Sequence, residues 1–185
     1  MECLEDKIHR LRKENIDCRY FIPHQAINEV MTAETVRDAL TGFDIGLQHL
    51  DELVQSIVNG ACGVFAILLL IGQCKYISDF VRNDQFAGEH SQLDSKIPFS
   101  LGKLETILPG PVAIKFDEKQ WELAAPVFSK RVIPRSLEQR TILPILKETC
   151  IGEGGFGVIY EITLHNAHQK FSPISGATVV SPNKA

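Results

Sequence analysis

The stretch that decides the fold runs Cys150-Ile151-Gly152-Glu153-Gly154-Gly155-Phe156-Gly157-Val158-Ile159-Tyr160. An apolar segment of extended type precedes it from Ile142, and a segment rich in β-branched and aromatic residues continues to Leu164. Such residues on both sides of a glycine-rich turn are typical of two strands joined in a hairpin. The sequence therefore predicts a strand, a glycine loop and a second strand.

Two phosphate-binding loops fit these glycines poorly. A Walker A loop continues with Lys and then Ser or Thr, which serve the phosphates and magnesium, whereas Val158 and Ile159 stand at those two positions. A Rossmann fingerprint matches the glycine spacing, but a helix must follow it to hold the pyrophosphate. A strand is predicted there instead, so the Walker A interpretation fails and the Rossmann interpretation is weak.

The segment resembles the glycine loop at the start of a eukaryotic protein kinase domain, G-x-G-x-x-G-x-V, which lies in a hairpin and covers the ATP phosphates. Gly152, Gly154 and Gly157 take the glycine positions, and Ile159 replaces the valine. The resemblance implies ATP as cofactor, with Ile151 over the adenine and an aromatic residue at the loop tip. The implied cofactor-binding residues are Ile151, Gly152, Gly154, Gly155, Phe156, Gly157 and Ile159. The alternative is a glycine-rich hairpin without a ligand.

The chain is also similar to the N-terminal half of a large group of fungal protein kinase-domain proteins, over about residues 19–171. The stretches that carry this similarity are Arg19–Pro23, Val64–Leu68, Gln120–Phe128, Leu143–Leu146 and His165–Phe171. The similarity implies a helical N-terminal extension followed by the first two strands of a kinase N-lobe. It also implies Ser/Thr-type phosphoryl transfer for the family.

The residues that a kinase needs after its glycine loop do not follow in this sequence. Phosphoryl transfer requires a strand lysine, a helix glutamate that holds it, an H-R-D loop and a D-F-G aspartate for magnesium. The string Val112-Ala113-Ile114-Lys115 precedes the glycines, which is the wrong order, and Lys170 and Lys184 do not stand in apolar strands. We therefore expect a truncated fragment without catalytic residues, which binds ATP weakly or not at all and is inactive as a kinase.

Composition limits the remaining function classes. Nineteen Lys and Arg against 23 Asp and Glu give a net charge of −4, so no polycationic surface for nucleic acid or anionic lipid is expected. Hydrophobic residues make up 44% of the chain, which is enough for a sizeable core. The length of 185 residues allows one ordinary domain or two small ones, whereas a kinase domain needs roughly 250 residues.

Targeting and metal signals are weak. The charged segment Met1–Lys13 has no apolar region of a secretory signal, and the apolar stretch Ala61–Gly72 is shorter than the ~20 residues of a spanning helix. A buried core helix is favoured over membrane contact. The five dispersed cysteines contain no C-x-x-C pair, which indicates a reducing, intracellular compartment, cytoplasmic or nuclear. Only His165-x-x-His168 has a suggestive ligand spacing, and a solvated turn is favoured over a metal site.

Residues 1–90 are predicted to form a helical N-terminal extension. Thr32 is placed to cap a helix, because its hydroxyl can accept a free N–H of the first turn. A longer helical pattern covers Leu47–Ile71. Gly60 and Gly63 interrupt that pattern, so we expect a break or a close helix packing there.

Residues 91–140 are predicted as an irregular or extended linker, because prolines and glycines punctuate them. The extended pieces are expected at Val112–Phe116 and Trp121–Phe128, and the linker either wraps the helical part or docks on a following domain. An acidic cluster formed by Asp117, Glu118 and Glu122 is expected to be a solvated face. Residues 141–171 are expected to form the partial N-lobe and residues 172–185 a disordered tail. The predicted fold class is α+β.

Two functions stay open. The first is a truncated protein kinase family member, and the second is a non-catalytic helical module whose apolar face binds a protein partner. The unpaired strand edges of a lone hairpin can pair with a strand of another chain. Codons for the kinase lysine strand, H-R-D and D-F-G downstream of Ala185 would indicate a shortened kinase, and their absence would favour the interaction module.

Overall fold

The structure is a computed structural model that describes residues 2–41, 47–83, 92–129, 137–155 and 157–171. These residues form eight α-helices and six strands, which confirms the α+β class. The helices are α1 (Leu4–Leu11), α2 (Ala26–Val30), α3 (Ala33–Leu40), α4 (Leu47–Gly60), α5 (Cys62–Leu70), α6 (Ile77–Arg82), α7 (Leu101–Leu104) and α8 (Gly110–Lys119). The strands are β1 (Lys13–Glu14), β2 (Tyr20–Phe21), β3 (Phe128–Ser129), β4 (Ile145–Gly154), β5 (Gly157–Leu164) and β6 (Gln169–Lys170). Single 3-10 turns cover Cys74–Tyr76, Leu93–Lys96, Gln120–Glu122 and Asn166–His168. The predicted tail at residues 172–185 lies outside the described residues.

Helix α5 is the centre of the core. Its residues from Cys62 to Leu69 are all buried, as expected for a helix that is apolar on every side. The chain bends by 104° between α4 and α5, at Ala61. This bend confirms the break that Gly60 and Gly63 predict. Buried residues of α1, α3, α4 and α6 pack around α5 in one cluster.

The first turn of α5 is capped by an aspartate from a distant segment. The Gly63 N–H donates to Asp94 Oδ2 at 2.9 Å and the Val64 N–H donates to Asp94 Oδ1 at 3.0 Å. A Cβ atom on Gly63 would lie 3.0 Å from Asp94 Oδ1 and 3.2 Å from Ile97 Cδ1, so the glycine permits this close approach. Burial raises the pKa of the Asp94 carboxyl, although the two N–H donors act in the opposite direction.

The cap of α3 is local, and it confirms the prediction at Thr32. The Thr35 N–H donates to Thr32 Oγ1 at 3.2 Å, and the Thr32 N–H donates to Thr35 Oγ1 at 3.0 Å. This reciprocal pair satisfies two backbone donors that the helix itself leaves free. It sets the start of α3, whose Val36 and Leu40 enter the core.

Residues 110–119 form a helix, so the extended conformation predicted for Val112–Phe116 is wrong. Pro111 lies in the first turn of α8, where its missing N–H needs no partner and its fixed φ suits a helix. Ala113 and Phe116 are three residues apart and both are buried. The Phe116 ring stacks on Phe80 with centroids 5.2 Å apart, which attaches α8 to the helical core.

Much of the stretch assigned to a linker belongs to the same core. Leu93, Phe99, Leu104 and Leu108 are buried in the cluster around α5. The extended piece predicted from Trp121 to Phe128 is also wrong at its start, because Gln120–Glu122 form a 3-10 turn. Tertiary burial of these apolar residues outweighs the local effect of the prolines and glycines between them.

Three two-stranded sheets stand beside the helices. Strands β1 and β2 are antiparallel, β3 and β6 are parallel, and β4 and β5 form an antiparallel hairpin. A second, smaller core lies near the strands and contains Phe21, Trp121, Ala125 and Ile142. The strand, glycine loop and strand predicted from the sequence are therefore confirmed as local structure.

Candidate functional site

The candidate site is the β4–β5 hairpin and its glycine loop. The pairing runs from Ile145 opposite Leu164 to Gly154 opposite Gly157. The register shifts between Ile145 and Lys147 and again between Cys150 and Gly152, so Leu146 and Ile151 are extra residues in β4. Each such bulge bends the strand and increases its twist. The second bulge lies directly before the glycines.

The glycine loop has an accessible backbone. Gly157 has a φ of +147°, a conformation that strains any residue with a side chain. At Gly152 and Gly155 a Cβ atom would meet no heavy atom within 4 Å, and at Gly154 it would meet only the Gly157 carbonyl oxygen, at 4.0 Å. No atom of the described residues therefore crowds Gly152, Gly154 or Gly155 on the side where a Cβ atom would stand. Phe156, expected at the loop tip, lies outside the described residues.

Ile151, expected over the adenine, and Ile159, which replaces the valine of the motif, are close together in the hairpin register and exposed. Ile159 is opposite Gly152 in the hairpin register, and Ile151 is the bulged residue before it. Ile151 is 52% exposed and Ile159 is 36% exposed. The sheet has two strands within the described residues, and a nucleotide base there would contact one wall.

Two of the three lysines named from the sequence, Lys115 and Lys170, are outside the glycine hairpin, and Lys184 lies outside the described residues. Lys115 is an exposed residue of α8, so the string Val112–Lys115 is helical and does not form a lysine strand. Lys170 is in β6, opposite Ser129 of β3. Neither residue is in the hairpin that carries the glycines.

The base of the hairpin is fixed to the N-terminal region. The Asn15 side-chain Nδ2 donates to the Leu143 carbonyl oxygen at 2.9 Å, and the Ile16 N–H donates to the Ile145 carbonyl oxygen at 3.0 Å. Asn15 is itself buried. Hydrogen bonds across about 130 residues of sequence therefore hold the start of β4 on the helical part, while the loop end extends away from these contacts.

Glu122 is buried in an ion-pair network and is not part of a solvated face. Arg12 binds it with two hydrogen bonds, Nε to Oε2 at 2.7 Å and Nη2 to Oε1 at 2.9 Å. Lys119 Nζ lies 2.9 Å from Glu122 Oε1. The Arg12 guanidinium also lies 4.3 Å from the centre of the Tyr20 ring. This network joins the N-terminal segment to the turn that follows α8.

Asp117 has a similar environment. Arg140 Nη1 donates to Asp117 Oδ2 at 2.6 Å, and Gln120 Nε2 donates to Asp117 Oδ1 at 2.9 Å. Glu118 is exposed. The predicted solvated face is therefore wrong for Asp117 and Glu122, because cations from distant segments neutralise both carboxylates.

The turn at His165–His168 is not solvated at its second histidine. His168 is 1% exposed, and both of its ring nitrogens are within hydrogen-bond distance of backbone atoms. Its packing against Phe21, with ring centroids 5.3 Å apart, explains the burial. No group of three or more His, Cys, Asp or Glu suited to a metal ion occurs among the residues that the structure describes.

In the described ranges, no helix by itself has the length and apolar character to span a membrane; α4 and α5 reach that level only as a sharply bent pair.

No family model, curated protein or solved structure matches the chain. The similarity to protein kinases therefore depends on the sequence motifs quoted above.

Proposed function

We propose that the β4–β5 hairpin is a nucleotide-phosphate loop of the protein kinase type, carried by this 185-residue chain without catalytic activity. The observation that supports the proposal is the glycine pattern at the turn of an antiparallel hairpin, with Gly157 in a conformation that favours glycine. Ile151 and Ile159 lie next to those glycines, where an adenine would contact them. A phosphate would accept hydrogen bonds from the loop N–H groups.

The proposed lack of catalysis follows from the charges that phosphoryl transfer needs. The reaction is accelerated by lysine and magnesium ions that neutralise the transferring phosphoryl group. The glycine loop supplies backbone donors, and its own charged residue is the carboxylate of Glu153. A single wall and backbone donors hold ATP weakly, so we expect dissociation constants well above micromolar values.

Nuclear magnetic resonance with ¹⁵N-labelled protein tests this proposal. Titration with Mg-ATP or inorganic triphosphate is expected to shift the amides of residues 152–157, while adenosine leaves them in place. Calorimetry is expected to detect no micromolar binding. Micromolar affinity for ATP would contradict the single-wall argument, and unchanged loop amides at saturating triphosphate would contradict the phosphate-loop assignment itself.

A matched pair of variants locates the effect. Gly154→Ala adds a methyl group where phosphate is expected to approach, and nothing in the fold obstructs it, so the shifts should weaken while the fold persists. Gly102→Ala adds the same group in α7, where a Cβ atom also meets no neighbour. Equal shifts in both variants would show that the loop is not the contact.

A second candidate function is a non-catalytic interaction module, and the open hairpin favours it. Every second residue of β5 points to the same face of the sheet, and on one face these residues are apolar and half-buried. They are Val158, Tyr160, Ile162 and Leu164. Long exposed strand edges bind further strands. We propose that a strand of a protein partner, here a second copy of this chain, adds to this hairpin.

The interaction proposal is tested by association measurements on two lysine variants. Ile162→Lys places a charge on the apolar face, and Thr163→Lys places the same charge on the opposite face. Sedimentation is expected to show hairpin-dependent association in the wild type and the Thr163 variant, and its loss in the Ile162 variant. Equal behaviour of the two variants would contradict the proposal. Transcript sequence beyond the Ala185 codon separates the two functions, because kinase motifs downstream favour the first.

A further inference from the structure

His168 joins three segments that are far apart in the sequence. It ends the 3-10 turn that follows β5, and its ring lies between the His24 backbone and the Pro126 carbonyl group. The His24 N–H donates to His168 Nε2 at 3.1 Å, and His168 Nδ1 lies 3.1 Å from the Pro126 carbonyl oxygen. The ring therefore attaches the end of the hairpin to the helical part.

These two hydrogen bonds permit one protonation state of the imidazole. A carbonyl oxygen only accepts, so Nδ1 must carry a proton, and a backbone N–H only donates, so Nε2 must be without one. A second proton on Nε2 would point at the N–H of His24. The charged imidazolium cannot accept the His24 N–H, so protonation breaks the bond that joins the ring to the His24 backbone.

The surroundings of the ring also oppose a positive charge. Burial is the main cause that lowers the pKa of His168, and the nearby His165 and His24 act in the same direction. The backbone carbonyl groups of Pro126 and Ile22 favour the charged form and oppose this lowering of the pKa only in part. Burial lowers the pKa of the neighbouring His165 as well, and Lys13 acts in the same direction. None of the groups that act on His168, within the described part of the chain, is a carboxylate.

We propose that His168 is a pH-sensitive latch, which holds the segment after β5 on the helical part while it is neutral and releases that segment when it is protonated. The segment includes β6, whose two residues pair with β3, so release also removes this short sheet. The latch is independent of whether the hairpin binds a nucleotide or a protein strand. It controls how firmly the C-terminal end of β5 is held.

The sign of the pH effect follows from linkage. The released histidine has an ordinary pKa, whereas the latched histidine has a lower one, so the released state binds protons more readily as the pH falls. The opening equilibrium at His168 is therefore expected to increase about tenfold between about pH 7.5 and about pH 5.5. Above this window His168 is neutral in both states, so the opening equilibrium no longer depends on the pH through this group.

Hydrogen exchange of the His24 amide measures this opening directly, because that N–H is bonded to the ring. After correction for the intrinsic pH dependence of exchange, its protection is expected to fall about tenfold across the window. The amide of Phe65 in α5, bonded to the Ala61 carbonyl oxygen, is expected to keep its protection. Constant protection at His24, or equal losses at both amides, would overturn the latch.

Two variants identify the titrating group. In His168→Gln the side-chain oxygen can still accept the His24 N–H, but the side chain does not titrate in this range. The protection of the His24 amide should therefore be independent of pH in this variant, even if it is lower throughout. His9→Gln changes an exposed histidine of α1 and should retain the wild-type pH dependence. The same pH dependence in His168→Gln would overturn the assignment. A wild-type tautomer with the proton on Nε2, observed by ¹⁵N spectroscopy, would overturn it independently of any variant.

Discussion

Replacement of Asp94 by alanine tests the side-chain cap at the start of α5. The carboxylate accepts the N–H groups of Gly63 and Val64 at 2.9 Å and 3.0 Å. The helix that it caps is the one buried on every side. Alanine removes both acceptors at once and supplies nothing in their place. The first turn of α5 then holds two donors that the helix itself cannot satisfy.

The expected loss of stability in Asp94→Ala follows from the two N–H groups that lose their acceptor. Each buried N–H without a partner costs about 1–3 kcal/mol. Asp94 is only partly buried, and water can reach part of the gap, so the lower half of the summed range applies. We expect the free energy of unfolding to fall by about 3 kcal/mol. For a domain of this size the melting temperature should then decrease by roughly 6–12 °C.

Thermal and urea unfolding followed by circular dichroism measure this change. Asp38→Ala is the matched control, because Asp38 is an exposed residue of α3, and its effect should stay within about 0.5 kcal/mol. Asp94→Asn retains one acceptor oxygen and should fall between the wild type and the alanine variant. A loss below about 1 kcal/mol for Asp94→Ala, relative to the control, would refute the capping argument.

Three further predictions concern the same core and its ion pairs. Gly63→Ala places a methyl group 3.0 Å from a carboxylate oxygen and should cost about 1–2 kcal/mol in urea unfolding; an unchanged midpoint would contradict the close approach. Arg12→Ala leaves the Glu122 carboxylate buried with fewer partners and should cost about 3 kcal/mol, and the additional change Glu122→Gln should recover part of this loss. Burial raises the pKa of the Cys62 thiol to about 11, so in the folded protein at neutral pH an alkylating reagent should label the exposed Cys150 and leave Cys62 unmodified until denaturant is added. Equal labelling rates for the two thiols would contradict that burial.

The features that the sequence predicts correctly depend on residues within a few positions of one another. The cap at Thr32 uses the N–H of a residue three positions later. The break before α5 depends on Gly60 and Gly63, and the hairpin depends on the alternation along β5 around a glycine turn. In each case the local backbone preference and the tertiary fold agree.

The features that the sequence analysis missed depend on distant partners. Arg12 and Glu122 are separated by 110 residues, and His24 and His168 by 144. Nothing in the local sequence around Glu122 distinguishes a paired buried carboxylate from a solvated one. The extended conformation predicted for Val112–Phe116 is wrong for another reason, because Pro111 indicates a break inside a helix but is favoured in a first turn.

The geometry of the hairpin relates the two proposed functions to one event, the addition of a strand. An isolated two-stranded hairpin is marginally stable in water, and a nucleotide needs a second wall. The outer edge of β4 is occupied at its first residue, where the Ile145 carbonyl oxygen accepts the Ile16 N–H. Within the described residues, β5 has no such bond to another segment between Gly157 and Leu164. The edge of β5 is therefore where a further strand would pair, and amide protection that appears along this edge when a protein strand binds would support the interaction module.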